Sequence, residues 1–266
     1  MPPKSKIRLH AGCLRGLDLP PPFRLVTLRE VGDAFARAIA IAAQDGAGTL
    51  VHVGRFDLAE FAVVLEPDEP LRTARRAMYT GMCALGDALA AIAPPEKAIS
   101  FDWPDAVRVD GGLVGGARLG WPSGAPEDEL PAWLVFGVMI RLVATGEDEP
   151  GLRPLAAALD DEGFDSPDGR VLVERFARHL MAAVDTGQEK GFDEVARNYL
   201  SRLAPERAEL GKVGIGKHPN VMGQDIDQEG NLLIRYAGTA KVERRPLADA
   251  LAVPSWLDPT SGVPRR

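Results

Sequence analysis

Residues 101–119 read Phe-Asp-Trp-Pro-Asp-Ala-Val-Arg-Val-Asp-Gly-Gly-Leu-Val-Gly-Gly-Ala-Arg-Leu and decide the fold. Val107 and Val109 alternate with polar residues, as in a half-buried strand. The turn Asp110-Gly111-Gly112 supplies the positive φ angles that a tight hairpin needs. On the return strand, Gly115-Gly116 leaves room for another group to lie against the backbone. The stretch predicts a β-hairpin with an open face, although a hairpin with only a structural glycine bulge would show much the same pattern.

This stretch resembles the Lys-Trp-Pro-Asn-Asp, strand, Gly-Arg-Lys-Val-Gly-Gly-Ile-Leu segment of the biotin/lipoate A/B protein ligase family. In that family the hairpin lysine contacts the carboxylate of the acid and the phosphate of the acyl-adenylate. The resemblance assigns Leu113 to the lysine position, and leucine cannot stabilise developing negative charge. It also places Trp103 beside the bound acid and Gly111, Gly112, Gly115 and Gly116 against the substrate.

The catalytic residues are therefore unknown from the sequence, and three side chains are candidates to take over part of the missing lysine's role: Arg55, Arg118 and Asp105. Asp105-Ala106 replaces the Asn-Asp pair of the family motif. Strand alternation puts residues 113, 115 and 117 on one face and Arg118 on the other. Arg118 could replace the lysine only if a bulge at the glycines shifts the register.

A second candidate region lies between two β-rich runs, Thr49–Val53 and Phe61–Leu65. The family places a long Gly-Arg-Gly-Arg-Arg-Gly loop here, and this chain keeps only Gly54-Arg55. Arg55 also fits a solvated turn arginine, because arginine is the common cation of this chain. His52 is predicted to contact substrate, with a histidine satisfied inside the fold as the alternative.

Apolar residues at helical or strand spacing predict the remaining elements. They are a strand at Leu25–Leu28, a helix capped by Asp33 and ending at Asp45-Gly46, a long helix from Pro70 to Ile92, a central strand at Trp133–Ile140, a short helix at Pro154–Glu162, a helix from Ser166-Pro167 carrying Leu172 to Val184, a helix carrying Phe192 to Leu203, and a hairpin after Val221 with its turn at Glu229–Asn231.

The resemblance extends in order over Leu25–Tyr236 and implies an α+β fold. This fold is the mixed sheet flanked by helices that the biotin and lipoate ligases share with class II aminoacyl-tRNA synthetases, followed by a small SH3-like β unit. We expect an amino-terminal arm at residues 1–24, a ligase-like catalytic-type domain at 25–205, and the C-terminal β unit with its tail at 206–266.

Composition narrows the function classes. The chain has 266 residues, a hydrophobic fraction of 45% and a net charge of −7, with no basic cluster, which argues against nucleic-acid binding. No amino-terminal apolar segment suggests a signal peptide or membrane span, so we expect a cytoplasmic protein without membrane contact. The two cysteines have no metal-ligand spacing, and no metal site is predicted from the protein's own residues.

Two functional hypotheses follow from the resemblance. The first is a divergent ligase that attaches or transfers biotin, lipoate or octanoate to a carrier protein through an acyl-adenylate, using ATP and magnesium. The second is a catalytically inactive ligase-fold module that binds an acid ligand or a carrier protein, because a fold can persist after its site has changed.

Overall fold

The computed structural model describes residues 16–144, 156–204, 221–238 and 240–265. The larger sheet comprises the strands Arg24–Leu28 (β1), Thr49–Val53 (β2), Leu58–Leu65 (β3), Ile99–Asp102 (β4), Ala106–Val109 (β5), Gly112–Gly120 (β6) and Leu134–Arg141 (β7). A smaller sheet comprises Val221–Ile226 (β8), Leu232–Tyr236 (β9) and Val242–Arg245 (β10). The helices are Ala34–Asp45 (α1), Leu71–Ala74 (α2), Ala77–Ala90 (α3), Gly169–Lys190 (α4), Phe192–Leu200 (α5) and Leu247–Ala250 (α6).

The larger sheet is mixed, which confirms the predicted fold class. Its strand order is β1-β2-β3-β7-β6-β5-β4, with β1 parallel to β2 and every other neighbouring pair antiparallel. The central strands β3 and β7 are buried along nearly their whole length, as expected for runs that are apolar on both faces.

Helices cover both faces of this sheet. On one side, here called the α1 face, Ala38 and Ala42 of α1 pack with Val51 and Val64. On the other, the α4 face, the Phe176 ring of α4 lies 4.9 Å from Phe61 and 5.8 Å from Phe136, centroid to centroid. Burial of these two apolar layers removes both faces of the sheet from water and is the main stabilising term of the fold.

Helix α1 begins and ends as predicted. The Asp33 carboxylate accepts the Ala36 N–H at 2.9 Å, and Gly46, with φ of 69°, terminates the helix. The first turn of α1 then lies over β3, where the N–H of Ala34 donates to Glu60 at 2.9 Å.

The predicted single helix from Pro70 to Ile92 is wrong, because the chain forms two helices, α2 and α3. The Arg76 N–H bonds to Thr73 O and the Met78 N–H to Arg75 O, so a tighter 3₁₀-type turn separates them. The Arg75 side chain at this break is almost buried. It pairs with Glu127 at 2.6 Å and stacks over the Trp121 ring at 4.6 Å.

Two further helix predictions need correction. The described part of the predicted Pro154–Glu162 helix, residues 156–162, is a bridge followed by turns, and Pro154 lies outside the described residues. The backbone pairs with the sheet instead, since the Ala157 N–H donates to Leu113 O at 2.9 Å. The helix predicted to reach Leu203 ends at Leu200, because Leu203 forms a bridge with Phe101 at the edge of β4.

The smaller sheet has the antiparallel order β10-β9-β8 and contains the predicted hairpin, with a third strand that the pattern did not predict. Its turn is joined to the larger domain by hydrogen bonds. The Tyr79 hydroxyl donates to Gly230 O at 2.6 Å, and the Trp103 indole N–H donates to the Tyr79 oxygen at 2.8 Å. The predicted domain boundary at 205–206 and most of the predicted arm, residues 1–15, fall outside the described residues.

Candidate functional site

The Asp110-Gly111-Gly112 hairpin and the Gly54-Arg55 turn lie at the same end of the larger sheet. Asp110 and Gly111 have φ of 47° and 87°, which is the mirror-image turn expected for a two-residue hairpin. The ends of β3 and β7 run between the two turns, because Leu58 pairs with Arg141. The two predicted substrate segments therefore border one area of the α1 face, here called the groove.

Strand β6 contains a bulge at Gly115. Val107 of β5 is opposite Gly115, whereas Arg108 is opposite Leu113, so one residue of β6 is left over. Gly115 has φ of 148°, a conformation that side-chain-bearing residues rarely adopt. A Cβ atom there would lie 2.0 Å from the Met139 carbonyl oxygen.

The bulge changes which side chains share a face. Leu113 belongs to the same buried cluster as Trp256, and Gly116 lies directly against that tryptophan. Arg118, two residues after Gly116, projects to the same side, where it stacks on Phe35 of α1. The prediction that residues 113 and 118 lie on opposite faces is therefore wrong. The bulge shifts the register, so Arg118 lies on the same face as Leu113, the residue at the lysine position.

Trp256 fills the groove above Gly116. Its side chain is 1% exposed, and its indole N–H donates to Ala117 O at 2.8 Å. A Cβ atom on Gly116 would lie 2.4 Å from Cδ1 of Trp256, so the glycine allows the ring to approach. Four side chains complete this buried cluster around the ring: Leu58, Ala106, Leu113 and Met139. The groove that the sequence predicts as a ligand site thus holds a side chain of the protein itself.

Trp256 belongs to a terminal segment, Ser255–Arg265, here called the strap. Leu257 and Pro264 form an antiparallel bridge within it, and the Arg265 N–H donates to Trp256 O at 2.7 Å. The Arg141 guanidinium holds the far end, donating to Pro264 O at 2.6 Å.

Asp105 holds the near end of the strap. Its carboxylate is 1% exposed and accepts the Ser255 N–H at 3.0 Å and the Ser255 hydroxyl. Burial raises the pKa of Asp105 to about 6, although the two Ser255 hydrogen bonds oppose this by favouring the charged form. The site therefore contains a carboxyl group that titrates close to neutral pH.

We expect Asp105 to make stability pH-dependent. Its folded pKa of about 6 lies above the ordinary 3.8, so its stabilising contribution is complete below pH 3.8 and is lost as the pH rises through about 6. The full difference is about 3 kcal/mol at about 1.4 kcal/mol per pKa unit. Urea unfolding of the wild-type chain and Asp105→Asn over this range should give curves of different pH slope. Parallel curves would contradict the assignment.

A second group of charges, here called the Glu60 cluster, comprises Glu60, Arg55, Arg118, Asp33 and Asp57. Glu60 is 3% exposed and lies 3.9 Å from the Arg55 guanidinium. Burial raises the pKa of Glu60, while the hydrogen bond from Ala34 and the charges of Arg55 and Arg118 lower it. The cluster places a buried carboxylate at the start of α1, where the backbone N–H groups favour negative charge.

The two arginines of the Glu60 cluster are already paired. Arg55 binds Asp57 through two bonds, Nε to Oδ1 at 3.0 Å and Nη2 to Oδ2 at 2.8 Å, and this pairing lowers the pKa of Asp57. Arg118 pairs with Asp33 at 3.1 Å and stacks over the Phe35 ring at 4.3 Å. Neither arginine presents an uncompensated charge to a ligand.

An open pocket of about 560 Å³ lies beside the Gly54-Arg55 turn. Two of its lining side chains, Val31 and Phe56, are 98% and 73% exposed. The others are Glu30, Gly32, Arg55 and Asp57. Of the predicted site residues, Arg55 lines this pocket, and no residue of the strap lines it.

His52 and Trp103 lie away from the groove. His52 is buried next to the start of α4, and burial followed by the charge of Arg170 lowers its pKa, against the opposing effect of Asp168. Trp103 packs with the core of the α4 face and bonds to Tyr79. The structure therefore brings Gly54, Arg55, Gly111, Gly112, Gly115, Gly116, Asp105 and Arg118 to one region, without these two.

Sequence reasoning missed Glu60 and Trp256. A glutamate inside the apolar run Leu58–Leu65 is a visible signal, because an acidic residue is seldom buried without a partner. Trp256 gives no comparable signal, since nothing local connects a terminal tryptophan with glycines 140 residues earlier.

Within the described part of the chain, no group of three or more His, Cys, Asp or Glu side chains could hold a metal ion. Over the same residues, no helix combines the length and apolar character needed to cross a membrane.

Solved structures with the same fold include a biotin protein ligase-like protein of unknown function from a Silicibacter species. It is 27% identical with a TM-score of 0.73, and the match covers 90% of this chain and 100% of that one. The apo biotin protein ligase of Aquifex aeolicus is 19% identical with a TM-score of 0.61, covering 84% of this chain and 96% of that one. The biotin-bound ligase of Leishmania major is 17% identical with a TM-score of 0.53, covering 85% and 98%.

Among curated proteins, none matches this chain. The sequence model of the biotin/lipoate A/B protein ligase family matches residues 19–201, which is more than half of the chain. This range holds the seven-stranded sheet, the bulged β6 strand and the Glu60 cluster. The chain belongs to the biotin/lipoate A/B protein ligase family.

Proposed function

We propose that this chain is a ligase-fold module that binds a carboxylic acid of the biotin, lipoate or octanoate type, free or on a carrier protein, without adenylating it. The observation that carries the proposal is the environment of Leu113, the residue at the position of the ligase lysine. Leu113 is 9% exposed and packs in the cluster of Trp256. An apolar side chain covered by an indole cannot stabilise the charge of an acyl phosphate.

The remaining residues do not fit ATP and magnesium. The Aquifex aeolicus ligase has been solved with biotin and ATP. Binding a triphosphate requires cations that are free to meet it, and here Arg55 and Arg118 are each paired with an aspartate. Among the described residues, no group of three or more His, Cys, Asp or Glu side chains could hold a metal ion. This supports binding without activation.

A divergent ligase is the second candidate, favoured by the bulge at Gly115. The bulge puts Arg118 on the face of the lysine position, and Arg118 is itself largely buried. For Arg118 to meet a phosphate it would have to leave Asp33 and the Phe35 ring. Arg55 and Asp105 are the other candidate catalytic residues, and both are engaged in hydrogen bonds.

Acid-dependent exchange of pyrophosphate into ATP distinguishes the two functions. We expect no exchange by the wild-type chain with biotin, lipoate or octanoate, together with a rise in melting temperature with at least one of these acids, because a ligand of the native state stabilises it. Leu113→Lys alone should stay inactive, since the new ammonium would lie beneath Trp256. Leu113→Lys combined with Trp256→Ala should recover exchange by up to about a hundredfold over background, the usual value of one aimed charge contact.

The matched control is Leu130→Lys combined with Trp256→Ala, which adds the same charge at a leucine that is 60% exposed. It should recover nothing. Robust exchange by the wild-type chain would overturn the proposal and favour the divergent ligase, and Arg118→Ala and Arg55→Ala would then identify the substituting cation. Failure of all three acids to raise the melting temperature would count against acid binding.

A further inference from the structure

We infer that the strap, Ser255–Arg265, is a detachable occupant of the groove, which opens as a unit while the seven-stranded sheet stays folded and which competes with any ligand for the face above Gly116. Only the identity of that ligand as a carboxylic acid rests on the proposed function. The opening of the strap is a property of the fold.

The strap is attached by side chains rather than by strand pairing. None of its residues belongs to either described sheet, and its Leu257–Pro264 bridge is internal. Within it only Trp256 and Pro264 are buried. A segment with so few buried contacts opens at a lower free energy than the strands beneath it.

The strap also keeps much of its own backbone bonding when detached. The Asp258 N–H donates to Val263 O at 3.0 Å and the Gly262 N–H to Asp258 O at 2.8 Å. Hydrogen bonds from Thr260 and Ser261 hold the pKa of Asp258 below its ordinary value. Opening therefore breaks the anchors to the sheet without first unfolding the turn.

Three anchors join the strap to the sheet, and all three lie around the groove. Ser255 bonds to Asp105 beside β5, the Trp256 indole bonds to Ala117 of β6, and Arg141 of β7 bonds to the carbonyl groups of Pro264 and Arg265. Detachment would expose the Ala117 carbonyl and the Asp105 carboxylate, together with the backbone of Gly116 on which Trp256 packs. The strap thus occupies the polar contacts that another ligand of this face would use.

Native-state hydrogen exchange of the full chain, read by mass spectrometry at low urea concentrations, tests the inference. We expect peptides of the strap to exchange through an opening on the order of a hundredfold more frequent than that of β3 and β7, with little dependence on urea. Ser255→Ala removes the hydroxyl bond to Asp105 and keeps the backbone bond, so it weakens one anchor and should raise the strap opening constant several-fold while leaving β3 and β7 unchanged. Thr260→Ala, at the exposed turn of the strap, is the control and should change neither.

Strap exchange with the same opening constant and urea dependence as β7 would overturn the inference, because the strap would then be a permanent part of the core. A second hydrogen-exchange experiment is carried out with saturating biotin, lipoate or octanoate. An acid that raises the melting temperature should also speed strap exchange, and unchanged strap protection under a bound acid would overturn the competition. If the strap opens by itself and no acid binds, the inference stands and the acid-binding function fails.

Discussion

Gly115→Ala is expected to lower the free energy of unfolding by at least about 4 kcal/mol, or to prevent folding. Two effects add at this position. The φ of 148° is strained for alanine, and the added Cβ would lie 2.0 Å from the Met139 carbonyl oxygen, which is backbone and cannot rotate away. Because this bulge determines the face on which Leu113 lies, any variant that folds should also lose the packing of Trp256 against Leu113 and Gly116. Urea unfolding monitored by circular dichroism measures the effect.

Gly124→Ala is the matched control for Gly115→Ala. Gly124 also has a positive φ, of 74°, but no atom lies within 4 Å of a Cβ built there. It should cost about 1 kcal/mol, from backbone strain alone. Equal losses for the two variants would show that steric contact with β7 does not hold the bulge in place.

Glu60→Ala is expected to lower the free energy of unfolding by about 3 kcal/mol, the usual result of removing one partner from a buried charge group. The Ala34 N–H would lose its acceptor, and Arg55 and Arg118 would lose a nearby negative charge. The start of α1 should loosen as well, so amides of its first turn should exchange faster. Thermal and urea unfolding, with hydrogen exchange of α1, measure both effects.

Glu66→Ala provides the comparison, at the residue that directly follows the same strand. Glu66 also accepts a backbone N–H, from Ala47 at 3.3 Å, but it is exposed, and its loss should cost well under about 1 kcal/mol. Glu60→Gln keeps an acceptor for Ala34 and removes only the charge, so it should fall between the two. A Glu60→Ala variant as stable as Glu66→Ala would mean that the Glu60 cluster contributes little to the fold.

The strap and the buried Leu113 both affect which ligands can bind in the groove. In the family motif this face meets the acid and its phosphate. Here it meets Trp256. A ligand could reach Gly116 only by displacing the indole, so its apparent affinity would be reduced by the population of the closed strap. Weak binding by the wild-type chain and tighter binding by Trp256→Ala are therefore expected from one geometry.

Sequence reasoning was most successful where a local pattern has a direct geometric meaning. Helix α1 begins after Asp33 and ends before Gly46 as predicted, because capping depends on neighbouring residues alone. The Asp110-Gly111 turn has the expected positive φ angles for the same reason. The order of strands and helices, together with the hairpin motif, was enough to predict the mixed sheet and the family.

Only the tertiary structure decided what occupies the site. The bulge at Gly115 depends on the register against β5 and β7, and it puts Leu113 and Arg118 on the same face, contrary to simple alternation. The positions of His52 and Trp103 on the α4 face, and of Glu60 beneath α1, follow from packing between elements distant in sequence. The hydrogen bond from Trp256 to Ala117 joins residues 139 positions apart, and no local propensity predicts a contact at that separation. The sequence alone therefore determined the fold and the family, whereas the state of the groove depends on long-range contacts that only the folded chain makes.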